Sequence, residues 1–446
     1  MKTSRAAALF GAACCLLGPS CGSAAAATFP TKLFLSSDGV ALSSFPSRHV
    51  LKQTIRVDVT KGNVPASWTA ASDQAWLAVT PSGLTGDDLT VTATAKGLAK
   101  DQFYLANVTV STNGTITDTE TLRVGLWVGS SDPATVELSQ NALNIATNPV
   151  APVAYVTDGG SSIVEFNVYS GAPIATLKKV APTVGYLEVS SDGNTLFAAD
   201  TTNYKIVALD ANSGAKLATY PVGYPLNDGF DMVYARPFGQ PALYIAGTES
   251  GPEGSIVAYP SGEQLAAGIA PTFLAVTPDG RKLYSITTYE EPSTVFAYAV
   301  KLRNDALVVS PTVETEIEGE NCQDLAVSHD GKHVYPACGW PYQFDVFDGR
   351  TLAQVQTLPA NPYPNNIEID AFDHVVGGIN GLYQPYDIYV FNQRGYSLGN
   401  VDNPSEGQYE GSQTAAMKVS GDGTRVVSAT GAVYNSSQTL LFRTMP

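Results

Sequence analysis

The chain is poor in charged side chains, and cationic ones are the scarcer kind. Asp, Glu, Lys and Arg make up 15% of the 446 residues, and 25 basic residues stand against 41 acidic ones, giving a formal charge of −16. Nucleic acids and anionic membrane surfaces are bound through a basic footprint. The deficit of cations therefore argues against both kinds of partner.

Long apolar runs are also missing, except near the start of the chain. There a basic beginning precedes an apolar stretch at 6–17, and the small residues at 24–27 offer a cleavage site. We predict a signal peptide over 1–27 and an exported protein, periplasmic or extracellular. Lipoprotein processing at Cys21, which would leave a lipid anchor, is the alternative. No later stretch is apolar for long enough to predict a transmembrane segment in the mature chain.

Cysteine is rare as well, and three of the five lie in or beside the targeting segment. The remaining two, Cys322 and Cys338, flank a turn at Asp330–Gly331. If Ser328 pairs with Lys332 across that turn, the two cysteines face each other. Because an exported protein folds in an oxidising compartment, we predict a structural disulfide. Two separate buried thiols are the alternative.

What the chain does have is a repeat. An apolar strand, a short turn and an aromatic-rich strand recur in LEVSSDGNTLFAAD, LAVTPDGRKLYSITT, LAVSHDGKHVYPACG and MKVSGDGTRVVSATG, with three weaker copies between them. The turns recur about every 40–50 residues, at Gly193, Gly239, Gly280, Gly331, Asp373 and Gly423. Four short strands per unit of this length predict an all-β chain with a seven-bladed β-propeller over 132–446. The last unit either supplies its own outer strand or takes one from 135–147.

Residues 28–131 lack this repeat and instead contain short predicted strands in which apolar and polar residues alternate, such as TIRVDVT and TLRVGLWVG. About a hundred residues of this kind predict an immunoglobulin-like β-sandwich. The segment WTAASDQAWLAVTPSGLTGDDLTVTATA, followed by YLANVTVST, resembles the BACON family of exported bacterial sandwich domains. That resemblance implies carbohydrate or mucin binding. Trp76 lies in an apolar strand, so we expect it in the core rather than in a sugar site.

The propeller region resembles the YVTN-type repeat family, most clearly in AYVTDGGSSIVEFNVYSGAPIATL and LFAADTTNYKIVALDANSGAKLATY. The resemblance implies the fold strongly. It implies function only broadly, because such propellers include lactonase-like enzymes, cell-surface proteins and binding proteins.

Blade geometry sorts the loops between two faces. The loops joining second to third strands surround one end of the central channel, where propellers usually place ligands. These loops are rich in aromatic rings beside carboxylates and amides, a combination that suits a sugar or a peptide. The predicted binding residues are Trp340, Tyr342, Tyr383, Tyr386, Tyr289, Glu290 and Tyr204. The alternative is that many of these rings pack between blades.

Histidine, the commonest general base, is absent from that predicted face. The chain has four histidines, and His329, His333 and His374 fall on first-to-second turns at the opposite face. We therefore predict no catalytic residue, no metal site and no cofactor. A divalent cation such as calcium is the alternative, held by Asn227, Asp228 and Asp231 or by Glu318, Glu320 and Asp324, although solvated turn residues explain both sets as well.

The leading hypothesis is an exported, monomeric, non-catalytic binding protein for a glycan or a cell-surface protein. One alternative is a lactonase-like or metal-assisted hydrolase acting at the channel mouth. Another is a structural component of an envelope assembly.

Overall fold

The computed structural model describes residues 31–61, 65–112, 114, 116–140, 142–222, 226, 231–247, 254–269, 272–288, 292–359, 363–370, 373–379, 388–392, 394–401, 417–429 and 431–436. All of them belong to one compact unit, Thr31–Pro446. The predicted signal peptide and Cys21 lie outside the described residues. Apart from one short 3-10 turn, Pro237–Gly239, the regular structure described is strand, so the predicted all-β class is confirmed.

The first ten strands form two sheets packed on one apolar core. They are β1 Leu33–Leu35, β2 Gly39–Ser44, β3 His49–Val50, β4 Lys52–Val59, β5 Ser67–Ser72, β6 Leu77–Val79, β7 Ser82–Leu84, β8 Asp88–Ala93, β9 Gln102–Thr112 and β10 Asp118–Val128. The sheet orders are β1-β4-β8-β6 and β3-β2-β10-β9-β5-β7, with β2 and β10 parallel. We call this pair of sheets the sandwich. Trp76 is buried in its core, together with Trp68.

Four-stranded antiparallel sheets follow, seven in the part of the chain that is described. Sheet 1 is β12 Asn144–Thr147, β13 Val153–Thr157, β14 Ile163–Asn167 and β15 Pro173–Leu177; sheet 2 is β16 Val184–Val189, β17 Thr195–Asp200, β18 Lys205–Asp210 and β19 Lys216–Pro221; sheet 3 is β20 Met232–Ala235, β21 Ala242–Ile245, β22 Gly254–Ala258 and β23 Gln264–Ile269. Sheet 4 is β24 Phe273–Val276, β25 Lys282–Ile286, β26 Ser293–Arg303 and β27 Ala306–Ile317; sheet 5 is β28 Glu320–Val327, β29 His333–Trp340, β30 Gln343–Asp348 and β31 Gln354–Pro359. Sheet 6 is β32 Pro364–Ile369, β33 Val375–Ile379, β34 Ile388–Phe391 and β35 Ser397–Val401; sheet 7 is β36 Met417–Val419, β37 Arg425–Ser428, β38 Ala432–Asn435 and β11 Thr135–Glu137.

The sheets close into a ring. The first strand of each sheet contacts the first strand of the next, and β36 of sheet 7 contacts β12 of sheet 1. The outer strand of sheet 7 is β11, which pairs with β38 through Val136 and Val433. Closure therefore uses residues from before the first sheet, which ties the beginning of the ring to its end. This arrangement is compatible with a β-propeller.

The turns between first and second strands need a residue with positive φ. Gly193, Gly280, Gly331 and Gly423 have φ between 66° and 70°, which glycine adopts without a steric penalty. Asp373 takes the same conformation at φ 59°. The repeating Asp-Gly pairs of the sequence are thus explained by the backbone that the turn requires.

The sandwich lies against the end of the ring that carries these turns, which we call the turn side. Arg236 of the ring bonds both Asp38, at 2.8 Å, and Glu120, at 3.4 Å, in the sandwich. Arg123 of the sandwich donates to the carbonyl of Asp192, which stands in the turn of sheet 2. The face opposite the predicted binding loops is therefore partly covered by the sandwich.

Close packing accompanies these polar contacts. The rings of Trp127 and Tyr169 stack with centroids 5.2 Å apart, and Phe45 meets Tyr169 edge-on at 5.1 Å. Gly125 lies so near the carbonyl oxygen of Val150 that a Cβ has no room there. The sandwich and the ring are thus in direct contact, without an intervening spacer.

The segment joining the two parts carries a buried carboxylate that both of them share. Asp132 forms ion pairs with Arg48 of the sandwich, at 3.0 Å, and with Arg425 of sheet 7, at 2.9 Å. It also accepts hydrogen bonds from Ser47 and Asn435, both at 2.7 Å. Its side chain is 2% exposed and that of Arg425 is 1% exposed. The segment around Asp132 is therefore anchored to both the sandwich and the ring.

Candidate binding site at the channel and its mouth

Four of the seven predicted binding residues, Tyr289, Glu290, Tyr383 and Tyr386, lie outside the described residues. The other three stand at the end of the ring opposite the turn side, where second and third strands are joined. We call this end the mouth. Tyr204 follows the second strand of sheet 2 and is 44% exposed; Trp340 and Tyr342 lie at the corresponding place in sheet 5 and are each 39% exposed. Exposed rings of this size are available to a ligand.

One of these rings, that of Tyr342, belongs to an aromatic pair. The ring of Tyr342 meets that of Tyr363 edge-on, with centroids 5.3 Å apart. A hydrogen bond with Tyr342 raises the pKa of Tyr363. Trp340 precedes Tyr342 in the same loop, whereas Tyr363 lies just before sheet 6, and no described ring contact joins Trp340 or Tyr204 to the pair. The structure therefore supports one aromatic patch beside sheet 5 and a separate tyrosine beside sheet 2.

A central channel with a cavity volume of about 950 Å³ runs through the ring. Its walls are the first strands of the seven sheets, and Tyr204 lines it at the mouth. One position of the repeat, the second residue of the motif that reads LEVSSDG in sheet 2, faces the channel. From sheet 1 to sheet 7 that position holds Ala146, Glu188, Val233, Ala275, Ala326, Glu368 and Lys418.

These side chains divide the channel wall into two arcs. Sheets 3, 4 and 5 contribute the small apolar residues Val233, Ala275 and Ala326. Sheets 6, 7 and 2 contribute charged residues, with Ala146 of sheet 1 between the last two. The ammonium of Lys418 lies 2.5 Å from the carboxylate of Glu368. Both members of this ion pair keep accessible surface, because they face open space inside the ring. The channel thus has one apolar wall and one charged wall.

The position two residues earlier in the repeat holds side chains that join neighbouring sheets. Asn144, Asp231 and Asp324 accept hydrogen bonds from the backbone N–H groups of Leu187, Leu274 and Ile367, at 3.0, 2.9 and 2.9 Å. Each pair is separated by 43 residues, one repeat. These polar groups therefore hold the sheets together, which is a structural role.

Burial changes the titration of the channel carboxylates. Loss of hydration raises the pKa of Glu188 to about 8, that of Asp324 to about 7 and that of Asp231 to about 6. Burial alone lowers the pKa of Lys418, but the charges of Glu368 and Asp324 outweigh it and hold that pKa above its ordinary value. At neutral pH the charged wall therefore contains a cation, its paired carboxylate and a protonated Glu188.

Two amide side chains in the channel wall have a buried polar atom without a hydrogen-bond partner. They are Gln323, whose Oε1 accepts no bond, and Asn365, whose Nδ2 donates none. The two residues occupy the same position of the repeat in sheets 5 and 6, and Asn365 is only 4% exposed. Neither atom has appreciable accessible surface, so each is an unsatisfied group inside the wall, where a missing partner costs about 1–3 kcal/mol.

The three histidines of the ring lie at or beside the first-to-second turns on the turn side, and His49 lies in the sandwich. His329 contacts Asp373 at 2.7 Å, and His374 contacts Asp370 at 2.9 Å. Among the described residues no group of three or more His, Cys, Asp or Glu side chains is arranged to hold a metal ion. Asp231 and Asp324, from the two sets considered for calcium, use both carboxylate oxygens on backbone N–H groups. Asn227 and Asp228 lie outside the described residues.

A second cavity, of about 1010 Å³, lies between the sandwich and the turn side of the ring. Gln53 and Ile55 line it from the sandwich, and Asp330 and Ser420 line it from the ring. Five residues line this crevice and the channel alike: Pro149, Pro278, His329, Glu368 and Ile369. The channel therefore leads into the crevice at its far end.

Sequence reasoning missed the charged channel wall, although its signal was present. In the aligned motifs the second letter changes from Ala in LAVTPDG and LAVSHDG to Glu in LEVSSDG and Lys in MKVSGDG. A charge within an otherwise apolar first strand has to point into the channel, because the flanking residues are buried between sheets.

Two further features of the described residues bear on the sequence analysis. Cys322 and Cys338 form a disulfide. No described helix is long and apolar enough to cross a bilayer.

Comparison with known proteins gives information on the fold and none on the activity. No protein-family model and no curated protein matches the chain. Among solved structures, hydrazine synthase from Kuenenia stuttgartiensis is similar with a TM-score of 0.52 and 13% sequence identity, over 68% of this chain and 97% of that chain. As many as 1349 solved chains match in fold, so likeness to any one of them carries no activity with it. The comparison supports a shared all-β fold alone.

Proposed function

We infer that this protein is an exported, non-catalytic binding protein that recognises a glycan at the mouth of its channel. The observation that carries the proposal is the exposed pair Trp340 and Tyr342 at the mouth of a ring whose open channel has an apolar wall and a charged wall. Aromatic faces cover the apolar surface of a sugar ring, while amides and carboxylates bind its hydroxyl groups. A cell-surface protein ligand is the other occupant that such a face accepts.

The proposed architecture is a seven-bladed β-propeller of YVTN type over 132–446, preceded by an immunoglobulin-like sandwich of BACON type over 28–131. The seven four-stranded sheets and the two sheets packed on one core support it. The signal peptide proposed for 1–27 agrees with the disulfide, since disulfides persist in oxidising compartments. Periplasmic or extracellular release is the proposed location, with a lipid anchor at Cys21 as the alternative.

The proposal is tested by screening the mature chain on glycan arrays and on a panel of surface proteins. Hits are titrated against the double variant Trp340→Ala, Tyr342→Ala. The matched control is Tyr396→Ala, which removes a tyrosine that is 67% exposed in a third-to-fourth strand turn on the turn side. A glycan hit lost in the double variant and kept in the control supports the proposal. Equal binding by all three chains removes the mouth as the site.

One observation favours a second candidate, a lactonase-like or metal-assisted hydrolase at the channel mouth. Glu188 and Asp324 titrate near neutral pH beside Lys418, and carboxyl groups with raised pKa values serve as general acids in enzymes. Lactone hydrolysis by the purified protein, abolished by Glu188→Gln, together with a bound divalent ion in elemental analysis, would favour this activity over binding alone.

A further inference from the structure

The channel wall offers an ion pair that a ligand can reach. The side chain of Lys418 is 40% exposed and that of Glu368 is 20% exposed, and both face the open space of the channel. The ammonium group donates hydrogen bonds and the carboxylate accepts them, so a hydroxyl group, which does both, can bond to either. The unpaired atoms of Gln323 and Asn365 have almost no accessible surface, so they stay out of a ligand's reach.

The charges in the channel narrow the class of ligand. An anion would meet Glu188, Asp231, Asp324 and Glu368, all of which surround Lys418. A cation would compete with the ammonium of Lys418 for the same carboxylates. An uncharged polar ligand is not repelled by the carboxylates and does not compete with the ammonium of Lys418. It can bridge the Lys418–Glu368 pair, which is accessible from the channel.

The opposite wall supplies apolar contact. Val233, Ala275 and Ala326 are small, so they leave room for a ring, and Phe273 and Tyr186 line the channel nearby. The cavity of about 950 Å³ is of a size that holds a small molecule. A pyranose ring has an apolar face of C–H groups and a rim of hydroxyls, so its two sides match the two walls.

We propose that the channel contains a subsite for one uncharged sugar residue, held between Glu368 and Lys418 on one side and Val233, Ala275 and Ala326 on the other. This subsite rests on the proposed glycan recognition at the mouth and deepens it: the terminal residue of the glycan enters the channel while the rest stays on the aromatic patch. Protonation of Glu188 at neutral pH adds a hydroxyl donor to the charged wall.

The test compares two variants that insert the same side chain. Val233→Trp fills the channel at its apolar wall; Val355→Trp places the ring on outer strand β31, where Val355 is 55% exposed. Binding of glucose, galactose, mannose and N-acetylglucosamine, with glucuronic acid and glucosamine as charged comparators, is followed by saturation-transfer NMR and calorimetry. We expect an uncharged sugar to bind the native chain and Val355→Trp equally, and to bind Val233→Trp at least tenfold more weakly.

A second variant guards against misfolding of the first. Ala275→Leu adds three carbon atoms to the apolar wall, a smaller insertion than that of Val233→Trp, so we expect at least a tenfold loss of sugar affinity with the fold retained. Sugar binding unchanged in folded Ala275→Leu and in folded Val233→Trp overturns the subsite, as does binding of the charged comparators alone. If array hits depend on Trp340 and Tyr342 but not on Val233, glycan recognition at the mouth stands and the channel subsite falls. If no glycan binds at all, the proposed function itself fails.

Discussion

The carboxylate of Asp324 accepts a hydrogen bond of 2.9 Å from the backbone N–H of Ile367, which stands one repeat later in the neighbouring sheet. Its other oxygen accepts from the N–H of Leu325 at 2.8 Å. Asp231 makes the equivalent pair of bonds to Leu274 and Met232. One side chain thus connects consecutive sheets through the groups that a buried backbone must satisfy.

Removing this connection tests its structural role. Asp324→Ala leaves two backbone N–H groups without a partner, which costs roughly 1–3 kcal/mol for each. Asp324→Asn keeps one accepting oxygen, so we expect a loss about half as large. Urea unfolding followed by tryptophan fluorescence gives both values. If the two variants unfold at the native midpoint, the bond to Ile367 does not hold the sheets together.

The raised pKa of Glu188 predicts a dependence of stability on pH. The folded chain keeps the proton up to a pKa of about 8, whereas the unfolded chain releases it near 4.5. Between these values the folded state binds more protons, so the free energy of unfolding falls as pH rises through this window. Glu188→Gln removes the titrating group and keeps an oxygen for the N–H of Tyr234. We expect the native chain to lose about 1–3 kcal/mol more than the variant between pH 5 and pH 9, as measured by urea unfolding at each pH; parallel curves would contradict this.

The shared carboxylate of Asp132 predicts that the sandwich and the ring depend on one buried group. Asp132→Asn leaves the guanidinium groups of Arg48 and Arg425 without their carboxylate, which costs about 3–5 kcal/mol. The control is Asp305→Asn, because Asp305 pairs with Lys61 of the sandwich at 3.3 Å on the surface and exposed pairs contribute only about 0–1 kcal/mol. Calorimetry gives both effects. An Asp132→Asn chain as stable as the Asp305→Asn chain would show that the anchor is dispensable.

The disulfide predicts sensitivity to reductant. Cys322 and Cys338 are 16 residues apart, and closing a loop of this length stabilises a protein by about 3 kcal/mol. We expect a lower melting temperature after reduction, and the same lower value for the double variant Cys322→Ser, Cys338→Ser. That double variant is its own control, since reductant should no longer change its melting temperature. A native chain whose melting is indifferent to reductant would rule out a stabilising bond.

Local sequence predicts much of the ring because its turns impose a backbone that few residues adopt. Gly193, Gly280 and Gly331 stand where φ is positive, so their spacing marks the sheets along the chain. Facing positions across the Asp330–Gly331 turn likewise place Cys322 opposite Cys338. These features depend on neighbours within one repeat, which is why the sequence contains them.

Contacts between distant parts of the chain were not predictable in the same way. Arg236 and Arg425 look like ordinary surface cations in the sequence, yet both are partnered by carboxylates from outside their own sheets. Their burial follows from the position of the sandwich on the turn side, which no local pattern encodes. The long hairpin of β26 and β27 is a similar case, since its tip reaches the sandwich through the Asp305–Lys61 pair.

The most direct test of ligand recognition at the mouth is a crystal structure of the mature chain soaked with the strongest array glycan. The account predicts ligand density in contact with Trp340 and Tyr342, with one sugar residue inside the channel beside Lys418 and Glu368. Density on the sandwich, or in the crevice behind it with the mouth empty, would contradict the account.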